Sequence, residues 1–227
     1  VTEAQVAMAR GEHINGAPPR GDRIVTMGID QGNMNNVEIC EWMLGDLVAG
    51  DVNVNAIPKV LLEKHCRDFE EFDVLMGDFN VHCCVIDAHP ERRKAKEFAD
   101  RWHGRVYMCI YGNGVSGKLL NVHRSDYGEP LVTVDRTSWL DQSLGRFKPD
   151  ASGKPRIILP RDVSFMYQAQ IQVPSSICQR DARGNPVATW LTPSSKADHF
   201  AHARNYAEIA LPLACTASQS YDIESPV

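Results

Sequence analysis

Several things are scarce or missing in this chain of 227 residues. No apolar run approaches the roughly 20 residues that span a bilayer, so a transmembrane helix is not expected. The N-terminal stretch mixes charges, Gly and Pro without an apolar h-region, so a secreted protein is not expected either. Positive charge is not in excess: the formal net charge is −5, which argues against a protein that coats nucleic acid by bulk electrostatics. It does not argue against a nuclease, because clustered carboxylates are neutralised once metals bind. There is no CxxC pair, and the 7 cysteines are odd in number and irregularly spaced. They read as reduced, mostly buried thiols. A zinc site from His82, Cys83, Cys84 and His89 is disfavoured, since adjacent strand residues point to opposite faces. No internal repeat or low-complexity tract is present.

What remains is ordinary for a soluble domain, with 43% hydrophobic and 23% charged residues. A chain of this size buries roughly 70% of its unfolded surface. Residues 1–22, rich in Gly and Pro around Gly16 to Gly21, read as a connector from an upstream domain. Residues 23–215 read as one folded domain, and 216–227 as a polar tail.

Within 23–215 the spacing predicts a buried strand from Arg23 to Asp30, a Gly/Asn turn, and an antiparallel partner from Val37 to Met43. Asp51 to Ile57 reads as a third strand, and Pro58 as the start of a helix carrying Val60, Leu61, Leu62, His65 and Cys66. His82 to Asp87 is a nearly all-apolar central strand. Pro90 suits the first position of a helix through His103, whose Ala95, Phe98, Ala99 and Trp102 form one stripe. Val106 to Tyr111 completes a right-handed βαβ unit. Then follow a hairpin (Leu119 to Val122 with Leu131 to Asp135), a helix from Thr137 to Phe147 and a short strand at Ile157. A further element spans Phe165 to Val173, with a hairpin from Gln179 to Trp190 and a helix after Asp198. The fold class is α/β: a mixed central sheet flanked by helices, with a β-rich insertion before the last helix.

Three aspartates stand where a carboxylate is out of place. Asp30 and Asp87 each close an apolar strand, and Asp198 precedes the last helix. A buried carboxylate costs several kcal/mol unless it is paired. Each has a plainer explanation: a turn aspartate for Asp30, a helix N-cap for Asp198. Asp87 is the hardest to explain that way, because active sites gather at the carboxyl ends of parallel strands. Together they suit hard divalent cations, which take oxygen ligands. Two such ions drive in-line phosphoryl transfer when a few carboxylates from distant positions hold them on rigid elements. His89 and His199 adjoin two of these aspartates and read as supporting groups.

Gly112 to Leu119 nearly spells a phosphate-binding loop, but Leu119 stands where that motif needs Ser or Thr, so nucleotide binding is not expected. Arg92, Arg93, Lys94 and Lys96 read as a solvated helix face. Lys148, Lys154, Arg156 and Arg161 are one candidate set of DNA contacts, and Arg180 and Arg183 a second.

The ordered set Met27-Gly28-Ile29-Asp30-Gln31, Val85 to Glu91, Val134 to Thr137, and Asp198 to Ala210 resembles the C-terminal nuclease domain of the large terminase subunit of tailed bacteriophages. The resemblance runs from about Arg23 to Leu211. It implies an RNase H-like fold and two Mg²⁺ or Mn²⁺ ions held by Asp30, Asp87 and Asp198, with Asp30 bridging. It implies endonucleolytic cutting of concatemeric viral double-stranded DNA during genome packaging, in the host cytoplasm. The partners implied are an N-terminal packaging ATPase domain, the small terminase subunit and the portal. Asp135 and Asp141 are the candidates for a fourth acidic position. Two other readings remain: a different RNase H-like nuclease, such as a junction resolvase, and a non-catalytic docking module of a packaging machine.

Overall fold

The computed structural model describes residues 1–44, 55–112, 120–180, 184 and 186–221. A mixed sheet is built from β1 (Val25–Asp30), β2 (Asn35–Met43), β3 (Ile57–Cys66), β4 (Cys83–Asp87), β5 (Val106–Tyr111), β6 (Leu120–Arg124) and β7 (Pro130–Val134). Its order is β3-β2-β1-β4-β5-β7-β6. The β1/β2 hairpin is antiparallel, β1, β4, β5 and β7 run parallel, and β6 returns antiparallel to β7. The expected hairpin, central strand and βαβ unit are therefore present.

Helices α2 (Glu70–Asp78) and α3 (Arg92–Arg101) cover one face of the sheet. Phe72, Met76, Ala95, Phe98 and Ala99 pack there against Met27, Ile29, Ile39, Cys84 and Ile86. The other face is closed by α6 (His199–Tyr221), with α4 (Arg136–Gly145) and α5 (Phe165–Ile171) beside it. Cys83 lies in the core on the α6 side and Cys84 in the opposite one, as strand alternation requires. Between β5 and α6 the chain divides its material. β6 and β7 extend the main sheet, α4 and α5 are helical, and β8 (Ser175–Arg180) with β9 (Pro186–Leu191) form a separate hairpin.

One element differs in kind from the sequence expectation. Ile57–Cys66 is a strand along β2, not a helix opened by Pro58. The reason is a bulge: Ile39 pairs with Leu62 but Cys40 with Val60, leaving Leu61 as an extra residue. The bulge lets the consecutive Leu61 and Leu62 face the same core, while Val60 enters the other. Three consecutive apolar residues followed by His65 and Cys66 then imitate a helical period. Pro58 is tolerated because β3 is the edge strand of the sheet. Of the strand expected from Asp51 to Ile57, residues 51–54 lie outside the described residues, and Ile57 begins β3. No element was expected over Glu70–Asp78, where α2 forms.

The segment 1–22 packs onto the domain. Helix α1 (Glu3–Met8) opens with a Thr2/Gln5 capping box, and Val6 is fully buried. Gly11 N–H donates to the Leu159 carbonyl at 2.8 Å, and Leu159 N–H to that of Ala9 at 2.7 Å.

Helix α6 is seated against β1 with little clearance. A Cβ at Gly28 would lie 2.0 Å from the Ala203 carbonyl oxygen and 2.3 Å from the Ala207 nitrogen. The Thr26 hydroxyl donates to the Ala207 carbonyl at 2.9 Å. Below this seat four charged side chains are buried together. Arg204 pairs with Glu38 at 2.6 Å and with Glu208, and Arg146 pairs with Glu208 at 2.6 Å. Both guanidinium groups also lie over the Trp42 ring. These contacts tie β2, α4 and α6 into one body and fix where the start of α6 meets the sheet.

Candidate metal centre

The pairing register decides which side chains meet. Ile29 pairs with Ile86, so Asp30 and Asp87 are neighbours at the carboxyl ends of adjacent parallel strands. Asp30 also faces Asn36 of β2, and Asn36 faces His65 of β3. Alternation from Gly28 and Thr26 puts Asp30 on the α6 face of the sheet. The seat at Gly28 brings the first turn of α6 over the same spot. The three expected aspartates therefore share one face, and the charge of Asp198 acts on Asp30 and that of Asp30 on Asp87.

Asp30 is only 5% exposed. Burial raises its pKa, the His199 hydrogen bond partly offsets that, and the charge of Asp198 adds to the rise. His199 Nδ1 sits 2.8 Å from Asp30 Oδ2, a contact that raises the imidazole's own pKa against the opposing effect of burial. Asp87 also has a raised pKa. Burial is the main cause, the His89 N–H at 3.0 Å opposes it, and the Asp30 charge reinforces it. Asp198 goes the other way. Burial would raise it, but hydrogen bonds from His202 and Thr192, with the charges of His202 and Arg136, hold it at about 2.

The Asp198 carboxylate does not spend its Oδ2 on capping the helix it precedes: that oxygen meets the Thr192 hydroxyl and, at 3.3 Å, His202 Nε2. Gln31 straps the two strand ends together, donating to the Asp87 carbonyl and accepting from Glu91 N–H at 3.1 Å.

Among the described residues, no three His, Cys, Asp or Glu side chains converge closely enough to hold an ion as they stand. Asp30 and Asp198 each turn an oxygen onto an imidazole. In chemistry and placement the donors nonetheless fit a hard cation. They are carboxylate oxygens, two are desolvated with raised pKa values, and their mutual repulsion is relieved by positive charge.

His202, Thr192, Tyr111 and Tyr206 were not singled out in the sequence. The i, i+4 spacing of Asp198 and His202 was the available signal. Both candidates for a fourth acid have other work. Asp135 caps α4 through the Ser138 N–H at 2.7 Å, and Asp141 accepts from Trp190 Nε1 at 2.7 Å.

Among the described residues, the basic candidates are not gathered around the aspartates. Arg156 N–H bonds the Arg146 carbonyl, and the following Ile158 bridges Lys59 near the start of β3. His65, near the other end of that strand, lies about 20 Å away at the rise of an extended chain. Lys148 and Lys154 belong to the same connection after α4, and Arg161 N–H bonds the His13 carbonyl. Arg180 pairs with Pro186 at the turn end of the β8/β9 hairpin. Arg183 lies outside the described residues, as do residues 113–119 of the loop resembling a phosphate-binding motif. The α3 charges are paired locally: Arg92 with Glu129, Arg93 with Glu97, Lys94 with Glu91 and Lys96 with Asp100.

Carboxylates close two adjacent parallel strands of a mixed α/β sheet, and a third precedes a helix laid across them. The fold is similar to that of a large terminase nuclease domain. The large terminase nuclease from thermophilic phage G20c with bound magnesium matches with a TM-score of 0.51 at 12% identity, over 91% of this chain and 95% of that one. The same nuclease with bound cobalt gives 0.49 at 12% identity, over 91% and 95%. The Thermus phage P74-26 large terminase nuclease domain gives 0.48 at 12% identity, over 90% and 92%. Neither a protein-family model nor a curated protein sequence matches the chain.

Proposed function

We propose that this chain is a divalent-metal-dependent endonuclease that cuts concatemeric viral double-stranded DNA during genome packaging, with Asp30, Asp87 and Asp198 holding two Mg²⁺ or Mn²⁺ ions. The observation that carries this reading is that the three carboxylates share one face, where the charge of Asp198 raises the pKa of Asp30 and the charge of Asp30 raises that of Asp87. The fold it shares with a nuclease solved with magnesium supports it. When bound, the ions would activate a water and stabilise the leaving oxygen of the phosphodiester.

The chain's own residues hold and orient that site. The strand ends fix Asp30 and Asp87, and Gln31 keeps the two loops in register. His199 holds Asp30 Oδ2 and so orients that carboxylate. The basic residues Lys148, Lys154, Arg156, Arg161, Arg180 and Arg183 are proposed to grip the duplex. An upstream packaging ATPase domain, a small terminase subunit and a portal are the proposed partners, in the host cytoplasm. Among the described residues no helix is long and apolar enough to cross a membrane.

The test is cleavage of plain duplex, a four-way junction and an RNA–DNA hybrid in Mg²⁺ or Mn²⁺. Cutting of plain duplex that disappears in Asp30→Asn, Asp87→Asn and Asp198→Asn is expected. Preference for the junction would reassign the chain to a resolvase-like task. Inactivity together with no Mn²⁺ binding would favour the docking module, a reading that draws on the carboxylates not converging as they stand.

A further inference from the structure

Behind Asp198 runs a buried chain of hydrogen bonds whose direction can be read. Ser143 Oγ lies 2.7 Å from Asn205 Oδ1, and both residues are fully buried. Asn205 Nδ2 then faces the Tyr111 hydroxyl at 3.1 Å. Because that oxygen accepts from the amide, its own proton points to His202 Nδ1, 3.0 Å away. A neutral imidazole carries one N–H. With Nδ1 accepting, the proton is on Nε2, which faces Asp198 Oδ2 at 3.3 Å. For the neutral ring the opposite direction, with the Asn205 amide flipped, would set a nitrogen lone pair against a carboxylate oxygen, so the Asp198 end selects the same sense in that form. Tyr111 is held in place by stacking on Tyr206, with ring centroids 5.6 Å apart and planes 19° from parallel.

We propose that Tyr111 and His202 are positioning residues for metal binding: the chain Ser143–Asn205–Tyr111–His202 locks His202 as the Nε2–H tautomer, which holds Asp198 Oδ2. The Thr192 hydroxyl holds the same oxygen. Asp198 Oδ1 is thereby the atom offered to a cation beside Asp30 and Asp87. The inference rests on the metal-site reading above. Partners that orient ligating carboxylates act through the ligand, and removing one typically weakens metal affinity about 10–100-fold.

The experiment is calorimetric Mn²⁺ titration of the full chain and its variants, with ¹⁵N NMR of the His202 ring above neutral pH. His202→Ala is expected to weaken Mn²⁺ binding about 10–100-fold. His202→Gln, whose amide N–H can reach the place of Nε2–H, restores most of it. The ring of the unsubstituted protein is expected to be Nε2-protonated, and Tyr111→Phe to give a mixture of tautomers with weakened Mn²⁺ binding. A ring protonated on Nδ1, or a folded His202→Ala protein that binds Mn²⁺ within about twofold of normal, overturns the inference. If the unsubstituted protein binds no Mn²⁺, the metal reading fails and this inference with it; failure confined to the variants defeats the inference alone.

Discussion

Replacing Gly28 by alanine tests whether the seat of α6 on β1 builds the site. The new Cβ would stand 2.0 Å from the Ala203 carbonyl oxygen, 2.3 Å from the Ala207 nitrogen and 2.9 Å from the Tyr206 carbonyl carbon. All three are backbone atoms of one helix, so no side chain can swing aside, and α6 must retreat by about 1 Å merely to reach the 3.0 Å below which real contacts are essentially unknown. Overpacking of this kind costs about 1–3 kcal/mol, and a backbone clash belongs at the upper end. A loss of about 3 kcal/mol lowers Tm by about 6–12 °C for a domain of this size. The same retreat carries Asp198, His199 and His202 away from Asp30 and Asp87. A 1 Å misplacement of reacting groups lowers rates about 100-fold. Thermal melts and urea titrations give the stability, and cleavage measured well below the new Tm separates misplacement from unfolding. A Gly28→Ala protein that melts within about 2 °C of normal and cuts duplex at the normal rate would refute the reasoning.

Asp87→Asn should abolish cleavage while leaving Tm at or above that of the unsubstituted protein near neutral pH. A carboxyl whose folded pKa is raised stabilises the fold when protonated and loses that contribution as pH rises through its folded value, and the amide removes this loss. Saturating Mn²⁺, at about 100 times its dissociation constant, should stabilise the fold by about 2.7 kcal/mol, and Asp30→Asn should erase the shift seen in a melt. Arg204→Met leaves Glu38 and Glu208 short of a buried partner and should cost about 3–5 kcal/mol in urea unfolding, with part of the loss recovered by adding Glu38→Gln. Glu129, held at about 2 by Arg92, contributes stability above the usual carboxylate range that disappears as pH falls through about 2, so Glu129→Gln should flatten the acid limb of the stability profile.

The sequence by itself determined the elements whose pattern is local. Apolar runs ending in a carboxylate marked β1 and β4, the stripe of Ala95, Phe98 and Ala99 marked α3, and the order of strands and helices carried the α/β class with a mixed sheet. It also singled out Asp30 and Asp87, because a charge closing a buried run stands out without knowledge of its neighbours, and Asp198 as a carboxylate opening the last helix. What it misassigned was β3, where a bulge in strand pairing shifts the period and so exists only once β2 is beside it.

Tertiary structure alone decided the surroundings of the aspartates. From Phe200 to Leu211, α6 is buried on nearly every side, so Arg204, Asn205 and Glu208, which resemble solvent-facing residues in sequence, find partners inside the protein. His202 and Tyr111 are separated by 91 residues and meet only because β5 lies beneath the first turns of that helix. Hydrophobic period is written along the chain, one element at a time. Hydrogen-bond direction, carboxylate ionisation and the distance between two strand ends depend on which elements touch, and closeness of approach at Gly28 decided that.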